Sequence, residues 1–439
     1  MEKQSENKKF SSRMGFILAS VGSAVGMGNI WLFPYRVGQY GGAAFLLPYF
    51  FFVILFGTVG LSGEFAMGRL TGTGPVGSYE YALKTRGRKG GAFLGAVPLI
   101  GSMGIAIGYA VIVGWVLRFL AGSVTGSMME GSSDEYFGSI TGTLGSLPWH
   151  VIVVTLTVLA LVFGIIKGIE KVSKVMMPAF FILFLILGIR VAFLDGAMEG
   201  YKYLLVPDWS YLAKPITWIM AMGQAFFSLS ITGSGMIIYG SYLDKKENVV
   251  RSAVTTALLD TCAALLAGFV IIPAVFAFGM DPMSGPPLMF LTMPQIFVRM
   301  PMGRVFAVLF FLSVLFAGIT SLINMLEVCG EAVKSRFHMG RRPAVILSGA
   351  VVLAAGLFIE KESYLGKWMD AITIYVVPIG AVLGAVMIYW AIPWDTMKAE
   401  MDLGRKKPLG KIFHASAKYL YVVLAAAVVV LSIALGGIG

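Results

Sequence analysis

Few groups in this 439-residue chain could do chemistry, and those few lie inside apolar surroundings. Gly22-Ser23-Ala24-Val25-Gly26-Met27-Gly28-Asn29 falls within a charge-free run from Phe16 to Phe33, long enough to cross a bilayer. Each of its glycines costs a helix about 1 kcal/mol relative to alanine. Backbone freed from helical bonding at membrane depth survives only where it lines a cavity or meets a ligand. The stretch is therefore predicted to be a broken span whose break is the working site. The anomaly recurs at Gln224-Ala-Phe-Phe-Ser-Leu-Ser-Ile-Thr-Gly-Ser-Gly235, where Ser228, Ser230, Thr232 and Gly233 interrupt another apolar run. One such stretch is explained by small residues packing helix against helix. Two at corresponding positions are the sequence pointer to a transporter's binding site.

Other polar groups fit that site. Glu64 and Asp260 are carboxylates in apolar segments and should find partners within the bundle. For Glu64 the plainer alternative is a pair with Arg69 near the membrane surface. A buried Tyr109 hydroxyl also needs a partner. Ala317-Gly-Ile-Thr-Ser321 and Asn324 add small polar groups, although Ser and Thr in helices often bond back to their own backbone.

The elements that position these residues are apolar spans. At 57% hydrophobic and 13% charged residues, the composition is that of an all-α integral membrane protein. Spans recur near 14–38, 42–68, 91–121, 147–166, 172–194, 215–242, 252–279, 303–328, 343–359, 369–393 and 417–438, giving helices 1 to 11 in that order. The breaks fall in helices 1 and 6, so two five-helix repeats are expected over 14–200 and 201–395. They follow a tail at 1–13 and precede a loop and helix 11 at 396–439. With the N-terminus cytoplasmic, about 25 of the 34 Lys and Arg fall on the cytoplasmic side, which leaves the C-terminus outside an inner (plasma) membrane. The net charge of +11 is thus a topology signal and not a nucleic-acid footprint. The first ten residues are polar, with no removable signal peptide evident.

Catalytic and metal-cluster readings find little support. Cys262 and Cys329 sit in apolar helices without a CxxC partner and read as buried small hydrophobes. His150, His338 and His414 are scattered, and no GxxxxGK[ST] phosphate loop occurs. An enzyme is not expected. The lipid bilayer is the one partner that composition implies.

The residues carry a family likeness. Gly22-Ser-Ala-Val-Gly-Met-Gly-Asn-Ile-Trp31, Gly41-Gly-Ala-Ala-Phe-Leu-Leu-Pro-Tyr49, Glu64-Phe-Ala-Met-Gly-Arg69, Gly223-Gln-Ala-Phe-Phe-Ser-Leu-Ser230 and Ala317-Gly-Ile-Thr-Ser321 together resemble the neurotransmitter:sodium symporter family. The likeness is closest to its eleven-helix bacterial amino-acid transporters, of LeuT-like fold, and covers nearly the whole chain. It implies an inverted five-plus-five repeat and two sodium ions. The first ion would be held by Ala24, Asn29, Ser228 and Asp260 with the substrate carboxylate. The second would be held by the carbonyls of Gly22, Val25 and Ala317 and the hydroxyls of Thr320 and Ser321. Such hard cations take oxygen ligands. The substrate implied is a zwitterionic amino acid, its carboxylate at the outer half of helix 1. Around it would stand Ala24, Gly26, Met27, Gly28, Ile105, Tyr109, Phe227, Ser228, Ser230, Gly233, Ser321, Asn324 and Met325. Sodium-coupled uptake by alternating access follows, with a proton-coupled transporter or a non-transporting sensor of the same fold as alternatives.

Departures from the family pattern carry their own expectations. Many relatives have an arginine where this chain has Leu32; Arg36, one turn outward, is expected to latch onto Asp370, with two solvated charges as the alternative. Tyr242 is expected to serve a gate. The family's Arg and Trp of the inner gate, near the N-terminus, are replaced by Asn7 and Phe10, with Lys8 or Lys9 left to supply the cation. Asp260 with Ala264, where chloride-dependent relatives use neutral groups and a serine, implies chloride-independent transport and a proton on the empty return. Gly233 replaces a phenylalanine of some relatives, which implies a larger side-chain pocket. With Asn324 on its wall, this favours a large hydrophobic or aromatic substrate, tyrosine first.

Overall fold

A computed structural model describes residues 9–281 and 288–438; Asn7 and Lys8 lie outside them. The described chain is helical, without a strand. Seven helices are long and apolar enough to cross a membrane, and a bent pair, Arg13–Ala24 with Gly28–Gln39, makes an eighth. Leu147–Val162 and Arg341–Leu357 are shorter apolar helices at the positions of helices 4 and 9. Helix 6 is divided into Pro215–Ser228 and Gly235–Ser241. These are the eleven segments expected, broken where expected.

Side-chain chemistry sets several boundaries. Ser12 caps helix 1 by accepting from the Gly15 N–H at 3.1 Å, and Asn248 caps helix 7 by accepting from the Arg251 N–H at 2.9 Å. Helix 3 (Gly91–Thr125) carries Gly101, Gly104 and Gly108 on one face, against Val377, Ile372 and Met369 of helix 10. A Cβ on Gly104 would come within 2.6 Å of Ile372, so small residues let these two helices close up.

Helix 10 begins earlier than its apolar pattern suggests. It starts at Glu362, one amphipathic segment ahead, so Asp370 stands two turns inside the helix and not at its first residue. The hydropathy of Glu362-Ser-Tyr-Leu-Gly-Lys-Trp-Met-Asp hid that segment. After Asp370 the helix widens into a π-type stretch, Ala371–Val376. The core itself packs helices 1, 6, 7 and 8 together, with helix 3 lying along helix 8. The functional residues sit in that core.

Candidate functional site

Helix 1 stops at Ala24 because Val25 turns to extended backbone (φ −69°, ψ 110°), and the chain resumes as helix at Gly28 with its axis bent by 58°. The amides freed by the break find side chains. The Gly26 N–H donates to Asn29 Oδ1 at 3.2 Å, and the Met27 N–H donates to Tyr109 Oη at 3.1 Å. A Cβ at Gly26 would lie 2.6 Å from that hydroxyl oxygen and 2.9 Å from Ser321 Oγ, so the approach requires glycine here.

Helix 6 unwinds between Ser228 and Gly235, with Ser230 at φ 51° and Gly233 at φ 72°. Helix 2 and the short helix after it, Pro75–Lys84, hold this loop. Glu64 Oε1 accepts from the Gly233 N–H at 2.8 Å, and Tyr79 Oη donates to the Gly233 and Gly380 carbonyls at 3.2 and 3.4 Å. Glu64 therefore finds its partner in the bundle, and the Arg69 alternative fails. Arg69 instead bonds Glu400 through side chain and carbonyl, each at 2.5 Å, and the Glu247 carbonyl at 2.6 Å.

Two clusters of oxygens flank the break. In the first, Asn29 Nδ2 donates to Asp260 Oδ1 at 2.8 Å and to Ser228 Oγ at 3.1 Å, and Ser228 Oγ donates to Asp260 Oδ2 at 2.7 Å. Asp260 is fully buried with no basic partner among the described residues. In the second, the Ser321 hydroxyl lies within 3.0 to 3.4 Å of the Val25, Gly22 and Ser23 carbonyls, while Thr320 Oγ1 donates to the Ala317 carbonyl at 3.1 Å. A Cβ on Gly22 would meet Thr320 at 2.9 Å, so helices 1 and 8 touch at this cluster. The second set is oxygen only and suits a hard monovalent cation, whereas the first brings the Ser228 and Asp260 oxygens together with the Asn29 amide, whose nitrogen faces the carboxylate.

Between the clusters lies a cavity of about 310 Å³. Ala24, Gly26, Met27, Gly28, Ile105, Tyr109, Phe227, Ser228, Ser230, Ser321, Asn324 and Met325 line it, as the sequence suggested. Gly22, Val25, Asn29, Asp260, Ala317 and Thr320 stand behind the wall. Gly233 is a correction. It does not line the cavity, because its face is turned to Tyr79 and to the Gly380 carbonyl, where no side chain fits. Thr232 takes the wall position instead, so the missing phenylalanine does not open the pocket at Gly233. Ser102, Trp31, Tyr35, Ile112, Met369 and Thr373 also line the cavity and were missed. Gly28, Trp31, Leu32 and Tyr35 follow an i, i+3, i+4, i+7 stripe, the one signal that could have found them.

That stripe also corrects the latch. Tyr35 faces the cavity, and Arg36, one residue on, turns away from it. The guanidinium is buried against Met220 Sδ at 2.5 Å and lies 5.8 Å from the Tyr40 ring. Asp370 is exposed on the cavity wall, and no ion pair joins it to Arg36. At the other end the bundle is shut. Phe10 meets Phe16 at 5.5 Å, Tyr239 at 5.8 Å and Tyr242 at 6.3 Å, while Lys9 reaches Asp244 at 3.1 Å. The Tyr242 hydroxyl donates to Glu327 at 2.5 Å, which is also gripped by both guanidinium nitrogens of Arg341 at 2.7 Å.

Comparison with known proteins agrees with this geometry. The profile of the sodium:neurotransmitter symporter family matches residues 7–139 and 135–436. The chain is 35% identical over 429 residues to YhdH, a sodium-dependent transporter of Bacillus subtilis, covering 94% of both proteins. It is 33% identical to a sodium-dependent transporter of Haemophilus influenzae, over 80% of this chain and 79% of that one. The crystal structure of MhsT in complex with L-phenylalanine superposes with a TM-score of 0.86 at 33% identity, over 97% of this chain and 99% of that one. The chain belongs to the sodium:neurotransmitter symporter family, and is a membrane transporter and not an enzyme.

Proposed function

We propose that this protein takes up a zwitterionic amino acid with a large apolar or aromatic side chain, driven by sodium bound at two sites. The observation that carries the reading is that the helix 1 break is flanked by two polar clusters, one built on a buried carboxylate and one on backbone carbonyls, beside a cavity of amino-acid size. The first ion would be held by Ala24, Asn29, Ser228 and Asp260, the second by Gly22, Val25, Ala317, Thr320 and Ser321. The ions supply the driving gradient and the positive charge that fixes the substrate carboxylate.

The chain's own groups do the rest. Gly28 opens the outer half of helix 1, whose N-terminal end carries the positive pole of the helix dipole and favours an anion. The Tyr109 hydroxyl accepts from Met27, so its proton can be turned to the same carboxylate. In the first cluster the Asn29 amide nitrogen faces Asp260. A cation between them requires the amide to present its oxygen, which releases the Gly26 N–H that this oxygen accepts from in the break of helix 1. The Asp260 carboxylate supplies a fixed negative charge beside the ion, which supports chloride independence. On the empty return, a proton on Asp260 fills the role of the ion.

The cavity rim carries exposed Asp370, whereas the Lys9 end is shut by Phe10 and the Tyr242–Glu327–Arg341 network. With the N-terminus cytoplasmic, as its basic loops favour, this is an outward-facing arrangement. Two sodium ions crossing 100 mV release about 4.6 kcal/mol, enough for roughly thousandfold accumulation of a neutral solute. Radiolabelled amino-acid uptake into proteoliposomes with and without a sodium gradient tests the proposal. Uptake driven by a proton gradient alone would refute it.

A further inference from the structure

Three hydroxyls meet on the cavity wall and form a chain. Ser102 Oγ on helix 3 lies 2.7 Å from Ser234 Oγ, and Thr232 Oγ1 lies 2.7 Å from the same oxygen. Ser102 and Thr232 line the cavity; Ser234, fully buried, stands behind them. The loop bearing Thr232 and Ser234 is pinned by Glu64 and Tyr79 through Gly233, so the three oxygens are preorganised.

Proton counting gives this chain a direction. Three hydroxyls carry three protons, and the two hydrogen bonds use two of them. If both ends donated to Ser234, its own proton would be stranded in the buried interior, which is costly. Ser234 therefore donates to one neighbour and accepts from the other. That leaves one terminal hydroxyl with a proton to give and the other with a lone pair to offer, both on the cavity wall.

We propose that Ser102, Ser234 and Thr232 form a specificity site that recognises a hydroxyl at the far end of the substrate side chain, as in a phenol. A phenolic oxygen accepts from one end of the chain and donates to the other, closing a ring of four hydroxyls. An indole N–H only donates, and a plain phenyl ring does neither. The placement is consistent. Ser102 is seven residues before Tyr109, about 10 Å of helical rise, and the Tyr109 side chain leans back along that rise. Ile105 and Phe227 line the interval. An aromatic ring lying along this wall would bring its para atom to the hydroxyls. This inference rests on the reading that the cavity takes large amino acids.

The test is titration calorimetry of the purified full chain in sodium buffer with L-tyrosine, L-phenylalanine, 4-methoxy-L-phenylalanine and L-leucine. Tyrosine should bind at least about tenfold more tightly than phenylalanine, because an unmatched polar site rejects the analogue that lacks the hydroxyl. The methoxy compound, which cannot donate, should lose that advantage. In Ser102→Ala/Thr232→Val the tyrosine-to-phenylalanine ratio should fall to within about twofold, a readout independent of how much protein is folded. Phenylalanine equal to or tighter than tyrosine in the unaltered protein, or a ratio that survives the double substitution, would overturn the proposal. Binding of leucine with no aromatic binding at all would overturn the aromatic reading itself, a result distinguishable from the other two.

Discussion

Asn29 Nδ2 stands 2.8 Å from Asp260 Oδ1, joining the broken segment of helix 1 to the middle of helix 7. Both side chains are fully buried, and the Ser228 hydroxyl closes the arrangement from helix 6 at 2.7 Å. A buried carboxylate held only by neutral donors is a strong attractor for a cation. Three helices converge on one charge, so whatever neutralises it also fixes their relative positions.

Removing that charge isolates its contribution. Asp260→Asn keeps the shape and leaves two neutral amides face to face. The sodium concentration for half-maximal uptake should rise at least about tenfold, equivalent to about 1.4 kcal/mol, and chloride should become stimulatory. Ion titrations of transport in chloride and gluconate check both effects; unaltered sodium dependence would remove Asp260 from the ion site.

The close approach at Gly26 gives a second prediction. An added methyl would stand 2.6 Å from Tyr109 Oη and 2.9 Å from Ser321 Oγ. Gly26→Ala should displace both hydroxyls at a cost of about 1–3 kcal/mol, the usual range for overpacking. Substrate affinity should drop at least about tenfold while the thermal melt in detergent shows a folded protein. Calorimetry and a melting curve separate the two.

Much of this site was legible because its residues break rules that apolar spans obey. Glycines at 22, 26 and 28, Glu64 and Asp260 are each costly in a bilayer, and each proved to have a polar neighbour or a close approach. Positions that obey the rules gave no warning. Trp31 and Tyr35 read as ordinary membrane residues, and only the stripe they form with Gly28 and Leu32 shows that they face the cavity. Gly233 misled for a related reason. Its type correctly marked an unusual backbone, but φ 72° turns it toward Gly380, which sequence spacing does not disclose. The Arg36–Asp370 latch failed because the arginine, one turn outward of the family's position, turns onto Met220 and Tyr40 and away from the cavity that Asp370 lines. Asp370 was further obscured by the amphipathic start of helix 10, which raises no hydropathy signal.

Glu64 should matter as an acceptor for backbone and not as an ion-pair partner. Glu64→Ala leaves the Gly233 N–H buried without its 2.8 Å acceptor, a loss of about 1–3 kcal/mol. Glu64→Gln keeps an oxygen there and should recover most of it. Chemical or thermal unfolding in detergent ranks the three proteins; equal losses in both variants would show that the charge itself is what the loop requires.

The Lys9–Asp244 contact at the closed end is exposed on both sides and correspondingly weak. The Lys246 N–H, and then Lys9, hold the Asp244 carboxyl below its usual value. A depressed carboxylate stabilises above its unfolded value, near 3.9, and loses that effect as pH falls through the lowered one. Between pH 5.5 and 8 the contact should therefore be constant. Lys9→Ala should speed amide exchange of residues 10–16 by at most about fivefold, equally at both pH values and less in high salt. Hydrogen-exchange mass spectrometry reads all three dependences.

The most direct measurement is uptake of radiolabelled tyrosine into proteoliposomes under an inward sodium gradient, with potassium or a proton gradient in its place as controls. The account predicts accumulation above the external concentration that requires sodium, collapses when the gradient is dissipated and persists when chloride is replaced by gluconate. Accumulation driven equally well without sodium would contradict it.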